Sequence, residues 1–242
     1  MENHAAMKKI HRFIGPYQLG QGICRIDDAD LAHQMRSVLK LEPGETVIIG
    51  DGTGAEVHCR IVSYERRAVI VEGMAIGRNP NEPARKVTLY CAVLKADHFE
   101  LAAQKAVEVG ASRIVPVRTA HTVKLNLRQD RIQRIVREAA ELSERGMIPE
   151  VTEVQDLDRV WNDAGRNDVN YFFHPSGTTF AGVAKSVRTA GVFVGPEGGW
   201  EEREVERAHD LGMRVASLGG IILRAETAAV VATYLVAQGQ KS

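Results

Sequence analysis

The stretch VFVGPEGGWEEREVERA, Val192 to Ala208, predicts a buried strand, a tight turn and then a charged helix. Its turn, GPEGG at 195–199, places three glycines around a proline and a carboxylate, whereas a plain connection needs only one glycine or one proline. Glycines of this kind accept unusual backbone angles and leave main-chain N–H and C=O groups exposed. The turn therefore predicts a binding loop at the end of a strand.

The composition is that of a globular protein. The chain has 242 residues, 44% of them hydrophobic and 26% charged, which suits one or two domains with a substantial core. Because no apolar run approaches the roughly 20 residues of a membrane span, we expect a cytoplasmic protein without a membrane partner. Cys24, Cys59 and Cys91 stand far apart, which favours a reducing compartment and disfavours a zinc site. Histidines are not clustered either, so no metal is expected.

The net charge of zero hides an asymmetry along the chain. Between Arg85 and Arg137 there are 11 Lys or Arg against 4 Asp or Glu, whereas the residues from Glu138 onward carry 10 against 16. A local excess of this size is typical of a surface that binds a polyanion, but a solvated helix surface explains the same count. Charge alone leaves both interpretations open.

The sequence pattern divides the chain into two regions joined by a linker. Residues 1–74 predict short strands with tight turns around one helix, as in a small β-barrel, and Asp51, Gly52 and Gly54 mark one hairpin. The segment AIGRNPNEPARK, 75–86, contains two prolines and no apolar periodicity and is the predicted linker. Residues 87–242 alternate fully apolar strands with amphipathic helices, which predicts an α/β fold with a parallel sheet covered on both faces.

Three predicted strands of the second region end in unusual loops. HPSG at 174–177 follows YFF, GPEGG follows VFV, and GGIILRAET at 219–227 follows VASL. Ligands of open α/β sheets collect at the carboxyl ends of the strands, so the three loops predict a site that holds a flat heterocycle by main-chain hydrogen bonds. The glycine fingerprints of phosphate-binding loops and the G-x-S-x-G nucleophile motif are absent from the sequence.

The same loops carry a resemblance to a known family. VGPEGG at 194–199 and LGGIILRAETAA at 218–229 resemble the SPOUT superfamily of methyltransferases and, more narrowly, the ribosomal RNA small subunit methyltransferase E family, whose members methylate N3 of a uridine in the 16S decoding region. LKADHFELAAQKAVEVGASRIVPV at 94–117 and EAAELSERGMIPEV at 138–151 match further motifs of that family. The amino-terminal HRF and VLKLEPGE stretches resemble its PUA-like RNA-binding barrel, so the resemblance spans nearly the whole chain.

The resemblance implies a SPOUT-type parallel sheet with a carboxy-terminal trefoil knot in residues 87–242, preceded by a PUA-like β-barrel in residues 1–74. It implies S-adenosylmethionine as the cofactor, 16S ribosomal RNA of the small subunit as the substrate, and a homodimer joined at the knot. The apolar helix predicted at Ala228–Ala237 agrees with a dimer, because it needs burial on more than one side. The residues expected to contact the cofactor are His174, Pro175, Gly195, Pro196, Glu197, Gly198, Gly199, Leu218, Gly219, Ile222, Leu223 and Thr227.

Three residues in the loops are candidates for catalysis. Arg224 is the candidate for stabilising negative charge on the uracil oxygens, with an ion pair to Glu226 or Glu197 as the alternative. Glu197 is the candidate for orienting the loop or receiving a proton, with the capping of neighbouring N–H groups as the alternative. His174 is a further candidate base, and a hydrogen bond that orders its loop is the alternative.

Five basic residues are expected to contact RNA: Arg12, Arg36, Lys40, Lys95 and Arg145. Phosphate groups of RNA attract lysine and arginine regardless of base sequence, so a basic side chain is a natural candidate. The alternative for each is a solvated surface residue, and for Arg145 a contact with the cofactor's carboxylate is also open.

The sequence departs from the family pattern at two informative positions. Ile221 stands where the family usually has an arginine suited to hold RNA phosphate or the target base. Glu201 stands where the family usually starts a helix with a small hydroxyl residue, and a carboxylate caps less well than serine. Two rival functions remain: a ribose 2′-O-methyltransferase of the same superfamily, whose Ser-Leu-Asn signature is missing here, and a non-catalytic RNA-binding protein, which only Ile221 favours.

Overall fold

The structure, a computed structural model, describes residues 10–17, 20–122 and 127–238. The chain divides into two compact units, Met1–Glu82 with Glu144–Ile148, and Pro83–Ser143 with Pro149–Ser242. The first boundary falls inside the predicted linker, but the irregular segment is shorter than predicted, because one strand continues to Arg78 and the next begins at Lys86. Nothing in the sequence indicated that residues 144–148 would belong to the first unit.

The first unit is built on a five-stranded sheet. Its elements are β1 (His11–Ile14), β2 (Gly22–Ile26), α1 (Ala29–His33), a π-helical turn (Gln34–Val38), β3 (Thr46–Gly50), β4 (Ala55–Tyr64) and β5 (Val69–Arg78). The strand order is β1-β3-β4-β5-β2, with β1 parallel to β3 and the other pairs antiparallel. This path is open at β1 and β2 within the described residues, so a closed barrel stays a prediction.

The hairpin predicted at Asp51 is present between β3 and β4. Gly52 and Gly54 have φ angles of +82° and +99°, which residues with a Cβ rarely adopt. The Asp51 carboxylate accepts the N–H of Thr53 at 2.7 Å, which closes the turn locally. The turn thus fixes the register in which β4 returns along β3.

The second unit contains a seven-stranded parallel sheet. Its elements are β6 (Lys86–Ala92), α2 (Ala96–Glu108), β7 (Ala111–Arg118), α3 (Gln129–Leu142), β8 (Glu150–Val151), β9 (Gln155–Asp156), α4 (Leu157–Ala164), β10 (Val169–Thr179), β11 (Thr189–Val194), α5 (Glu202–Asp210), β12 (Arg214–Ser217) and α6 (Ala225–Gln238). The strand order is β12-β10-β11-β6-β7-β8, and β9 also pairs with β7. All of these pairs are parallel, so the predicted α/β fold with a parallel sheet is confirmed.

Both faces of this sheet are covered. Tyr90, Phe193 and Phe172 are paired in register on neighbouring strands, so their rings share one face, where they pack with Trp200 and Ala208. The Tyr90 and Phe193 rings stack with their centroids 4.4 Å apart. The alternate residues of the same strands point to the opposite face, where α6 packs on β6 and β11 beside α2. Burial on both faces explains why these strands read as continuous apolar runs.

The loop predicted after Phe173 is a bulge inside a strand. β10 continues to Thr179, and its register with β12 shifts between Phe173 and Thr178, so residues 174–177 leave the ladder. A Cβ on Gly177 would lie 2.7 Å from the backbone of Ala216, which only a glycine avoids. The bulge therefore interrupts the pairing of β10 with β12 at residues 174–177, and the strand continues to Thr179.

A buried arginine closes the carboxy-terminal end of α6. Arg85 donates from Nη1 to the carbonyl oxygens of Val236 and Ala237, and from Nη2 and Nε to those of Ala184 and Val187 at 3.3 and 3.2 Å. A cation here complements the helix dipole and satisfies carbonyl groups that have no partner inside the helix.

Across the described residues, no helix has the length and apolar character to cross a membrane.

We expect Arg85→Ala to lower the free energy of unfolding by about 2–4 kcal/mol, because several buried carbonyl groups lose a charged hydrogen-bond donor. Urea denaturation followed by circular dichroism measures the change. Arg188→Ala is the matched control, since Arg188 is exposed, and it should change the free energy by less than about 0.5 kcal/mol. Equal losses for the two variants would contradict the role given to Arg85.

Candidate active site

A cavity of about 720 Å³ opens at the bulge of β10 and at the ends of β11 and β12. Its volume lies within the roughly 300–1,000 Å³ of small-molecule sites. The predicted site residues that line it are His174, Pro175, Gly195, Pro196, Glu197, Gly199, Leu218, Gly219, Ile222, Leu223 and Arg224. Gly198 and Thr227, which were also predicted, are not part of its lining. The three segments that the sequence singled out therefore meet at one site.

Different structural constraints require a glycine at the three glycine positions of GPEGG. A Cβ on Gly195 would lie 2.9–3.1 Å from the indole ring of Trp200, and one on Gly198 would lie 3.1 Å from a neighbouring side chain. Gly199 has open space around it but a φ of +74°, and its N–H donates to the carbonyl of Pro196 at 2.9 Å. Within the protein, Gly195 is thus explained by Trp200 and Gly199 by its turn, before any ligand is considered.

Trp200 joins two of the loops. Its buried Nε1–H donates to the carbonyl of Phe173 at 3.2 Å, immediately before the bulge of β10. Its ring also packs on Phe172, with the centroids 4.4 Å apart. The turn after β11 is therefore fixed to the residue that precedes the bulge of β10 by one side chain, and Gly195 provides the space for it.

Two glutamates cap the helix that follows the turn. The N–H of Glu201 donates to Oε2 of Glu204 at 2.8 Å, and the Glu201 side chain accepts the N–H of Glu204 in return. The other oxygen of Glu204 accepts the N–H of Ala120 at 3.0 Å. The carboxylate at 201 therefore starts α5 through a reciprocal pair, although alone it is a weaker cap than serine.

The structure adds a cluster that the sequence analysis missed. Nδ1 of His98, in the first turn of α2, lies 3.6 Å from Oε1 of Glu197 and 3.8 Å from Oε2 of Glu226. The Glu226 side chain is 10% exposed, and neither its Oε2 nor His98 Nδ1 has a hydrogen-bond partner within the described residues. No metal-binding group of three His, Cys, Asp or Glu occurs in that part of the chain. The rule that led to the other loops, applied to the end of β6, would have found His98.

His174 is held by its own loop. Its Nδ1 accepts the N–H of Ser176 at 3.2 Å and lies 2.7 Å from the Ser176 hydroxyl. Burial lowers the pKa of His174, which favours the neutral ring. Because Nδ1 is an acceptor, the neutral ring carries its proton on Nε2, which can donate but not accept. The loop-ordering alternative is the one that the geometry favours.

Arg224 lines the cavity as an exposed residue. Within residues 10–17, 20–122 and 127–238 its side chain makes no ion pair, so the salt bridge to Glu226 or Glu197 that we considered as an alternative is not formed. Ile221 and Ile222 beside it are 81% and 85% exposed. The third segment thus offers one unengaged cation and two apolar side chains.

The residues predicted to contact RNA fall into two groups. Arg12 forms a buried ion pair with Glu56, and Arg145, 4% exposed, donates to Glu82 at 2.9 Å. These pairs argue against the RNA contacts predicted for both arginines, because each guanidinium already has a buried carboxylate partner. The other three, Arg36, Lys40 and Lys95, are exposed, and their contacts stay predictions.

Known proteins are similar to this chain over most of its length, including the residues of the cavity. Residues 80–237 match the family model described as an RNA methyltransferase domain. A protein of Synechocystis sp. named Ribosomal RNA small subunit methyltransferase E is 30% identical over 231 residues, which cover 90% of this chain and 74% of that protein. The protein of the same name from Mesomycoplasma hyopneumoniae is 30% identical over 176 residues, 71% of this chain and 76% of that one.

The chain belongs to the ribosomal RNA small subunit methyltransferase E family. A solved structure agrees: the Ribosomal RNA small subunit methyltransferase E from Neisseria gonorrhoeae, bound to S-adenosyl methionine, is 26% identical and has a TM-score of 0.85. That likeness covers 93% of this chain and 95% of the other. The family resemblance of the quoted motifs is therefore confirmed.

We expect Gly195→Ala to lower the free energy of unfolding of the protein by about 1–3 kcal/mol, because the new methyl group displaces the Trp200 ring. Chemical denaturation measures the loss, and tryptophan fluorescence of the folded protein reports the altered environment of Trp200. Gly220→Ala is the matched control, since a Cβ there meets nothing within 4 Å. A fully stable Gly195→Ala variant with an unchanged spectrum would show that Trp200 does not fix this turn.

Proposed function

We propose that the protein transfers the methyl group of S-adenosylmethionine to N3 of a specific uridine in 16S ribosomal RNA of the small subunit, in the cytoplasm. The observation that carries the proposal is the single cavity formed by VGPEGG, LGGIILRAETAA and the bulge of β10. Family membership and the S-adenosyl methionine bound to the Neisseria gonorrhoeae enzyme support the choice of cofactor.

The residues of the cavity fit this cofactor. Its adenine ring has flat faces that pack on apolar side chains and polar edges that form hydrogen bonds, and Leu218 and Leu223 offer apolar side chains and main-chain groups to it. Its sulfonium is a cation, and the carboxylates of Glu197 and Glu226 make part of the wall acidic. The Glu197 side chain is 41% exposed, so its carboxylate is the one that a cationic ligand in the cavity can reach.

The cofactor supplies a methyl group that its sulfonium already makes electrophilic. The chain then has to align the uracil ring and stabilise the anion formed when N3 loses its proton. Arg224 is our candidate for binding O2 or O4 of that anion, because this residue lines the cavity and its guanidinium makes no ion pair within the described residues. The target uridine would be turned out of its RNA context to reach the site.

Further features of the family are part of the same proposal. We infer a trefoil knot from membership of the family. We infer a homodimer at α6, supported by the exposed apolar residues Ile221, Ile222 and Tyr234. We also infer that the first unit is a PUA-like barrel that binds RNA, supported by its five-stranded sheet and by the exposed Arg36 and Lys40.

We expect Arg224→Ala to lower kcat by about 10²–10³-fold while the Kd for S-adenosylmethionine stays within about twofold, since only the charged state of uracil loses a partner. Arg224→Lys should recover part of the rate by keeping the charge. Transfer of a labelled methyl group to unmodified small ribosomal subunits measures kcat, and calorimetry measures cofactor affinity.

The product and the binding measurement separate the proposed function from its rivals. Mass analysis of the nucleosides should find the label on uridine N3. Label on a ribose 2′-hydroxyl would replace the proposal by the ribose methyltransferase, and absence of S-adenosylmethionine binding would replace it by the non-catalytic RNA-binding protein.

We expect Ile221→Arg to strengthen RNA binding, because Ile221 is 81% exposed and an arginine there adds a cation beside the cavity. One added phosphate contact should steepen the dependence of log K on log salt by about 0.7–0.9. Salt titrations of binding to 16S RNA measure the slope, and Ile221→Gln controls for the change in polarity. Identical slopes for both variants would exclude a phosphate at this position.

A further inference from the structure

His98 is a titratable side chain of the cavity wall to which neither the motifs nor the proposed function gives a role. Its side chain is 40% exposed although its Nδ1 is buried, so the exposed edge of the ring lies on the side away from Nδ1. Nε2 makes no hydrogen bond within the described part of the chain. The ring thus presents one nitrogen to the protein interior and leaves the other accessible.

The two carboxylates define which nitrogen of His98 carries the proton. Glu197 and Glu226 approach Nδ1 at 3.6 and 3.8 Å, and carboxylates only accept hydrogen bonds. The neutral ring therefore keeps its proton on Nδ1 and its lone pair on Nε2. Both distances exceed a hydrogen bond by a few tenths of an ångström, as is common in active sites that tighten only in the complex.

The other titratable and charged groups around the cavity are unsuited to accept a proton. Nε2 of His174 carries the proton of the neutral ring, and a guanidinium such as that of Arg224 has no lone pair to offer. Burial, with smaller effects of Glu197 and Glu226, raises the pKa of the Cys91 thiol to about 12, so this thiol stays neutral. Lys95, which precedes α2, is a cation and has no acceptor.

Glu197 and Glu226 are better placed to assist His98 than to replace it. In water a carboxylate is a weaker base than an imidazole by about two pKa units, so the imidazole is the better acceptor for a weakly acidic N–H. The imidazolium formed would lie beside two carboxylates, and it would satisfy the buried Oε2 of Glu226 that now lacks a partner.

We propose that Nε2 of His98 accepts the N3 proton of the target uridine, and that Glu226 and Glu197 are positioning residues that orient the ring through Nδ1. The bond from N3 to the methyl carbon forms as the carbon–sulfur bond breaks, and the electron pair of that bond stays on sulfur. The proton passes from N3 to the imidazole and then to solvent. This inference rests on the proposed function, because only a nucleophile that carries a proton needs an acceptor.

The test is the pH dependence of kcat for the wild type, His98→Gln and His98→Ala, with unmodified small ribosomal subunits as substrate. We expect His98→Gln to lower kcat by about 10²–10⁴-fold, with S-adenosylmethionine affinity unchanged in calorimetry. The wild-type rate should rise with pH, because only a neutral imidazole can accept a proton, and this limb should vanish in both variants. Added imidazole should restore part of the activity of His98→Ala.

The positioning role has its own readout. Glu226→Gln keeps the shape of the side chain but removes the charge beside Nδ1, so we expect kcat to fall about tenfold or more and the acidic limb of the pH profile to move. The KM for S-adenosylmethionine should change by less than about threefold. Glu206→Gln is the matched control, because Glu206 is an exposed carboxylate of α5, and its profile should equal that of the wild type.

The outcomes separate this inference from the function on which it rests. If His98→Gln methylates uridine N3 at the wild-type rate, or if it loses S-adenosylmethionine binding, His98 is not the acceptor while the proposed function stands. If the wild-type enzyme places the methyl group on a ribose or another base, the proposed function fails and this step fails with it. An unchanged pH profile in Glu226→Gln would remove the positioning role.

Discussion

Parallel pairing of strands that are buried on both faces is the constraint on which the whole site depends. β10, β11 and β6 run in one direction and in register, so their carboxyl ends reach the same edge of the sheet. Helices and the aromatic cluster around Phe193 cover the faces, and the cavity of the described residues lies at the carboxyl ends of the strands. Segments that are far apart in sequence become neighbours there without any direct attraction between them.

Main chain contributes to the wall of the cavity at this edge. Gly195, Gly199, Gly219 and Gly220 line it, and the backbone groups of a glycine are fixed by the fold and not by a rotamer. Trp200 adds a direct tie between two of the loops through the carbonyl of Phe173. Such a wall tolerates changes of side chain, and Ile221, 81% exposed, is one position where a change is expected to leave the wall intact.

The sequence predicted the parts of the fold that depend on local pattern. Apolar runs located the parallel strands, and GPEGG located the turn beside the cavity, because strand burial and glycine geometry are properties of a few consecutive residues. The sequence did not predict which distant residues would form ion pairs. Arg12 and Glu56 are 44 positions apart, and Arg145 and Glu82 are 63 apart, so nothing nearby marked these arginines as buried.

In the candidate site, too, features set by local sequence were predicted and contacts between distant residues were not. The motifs identified most of the cavity wall, but the bulge of β10 depends on Gly177 passing the backbone of Ala216, a contact that no local signal encodes. The reason for Gly195 likewise lies in the later Trp200 and not in the turn alone. His98 and Glu226 are separated by most of the second unit, and only the parallel sheet brings them together.

In the described part of the chain, Arg224 is not paired with the acidic side chains of the cavity. An ion pair between Arg224 and Glu226 would neutralise both groups and leave neither for the substrate. Instead Glu226 lies beside His98, and Arg224 remains exposed at the cavity wall. In the proposed reaction the two groups would act on different atoms of the uracil, Nε2 of His98 on the N3 proton and Arg224 on O2 or O4. Loss of the N3 proton creates the charge on oxygen that Arg224 would stabilise, so both contacts would support the same step.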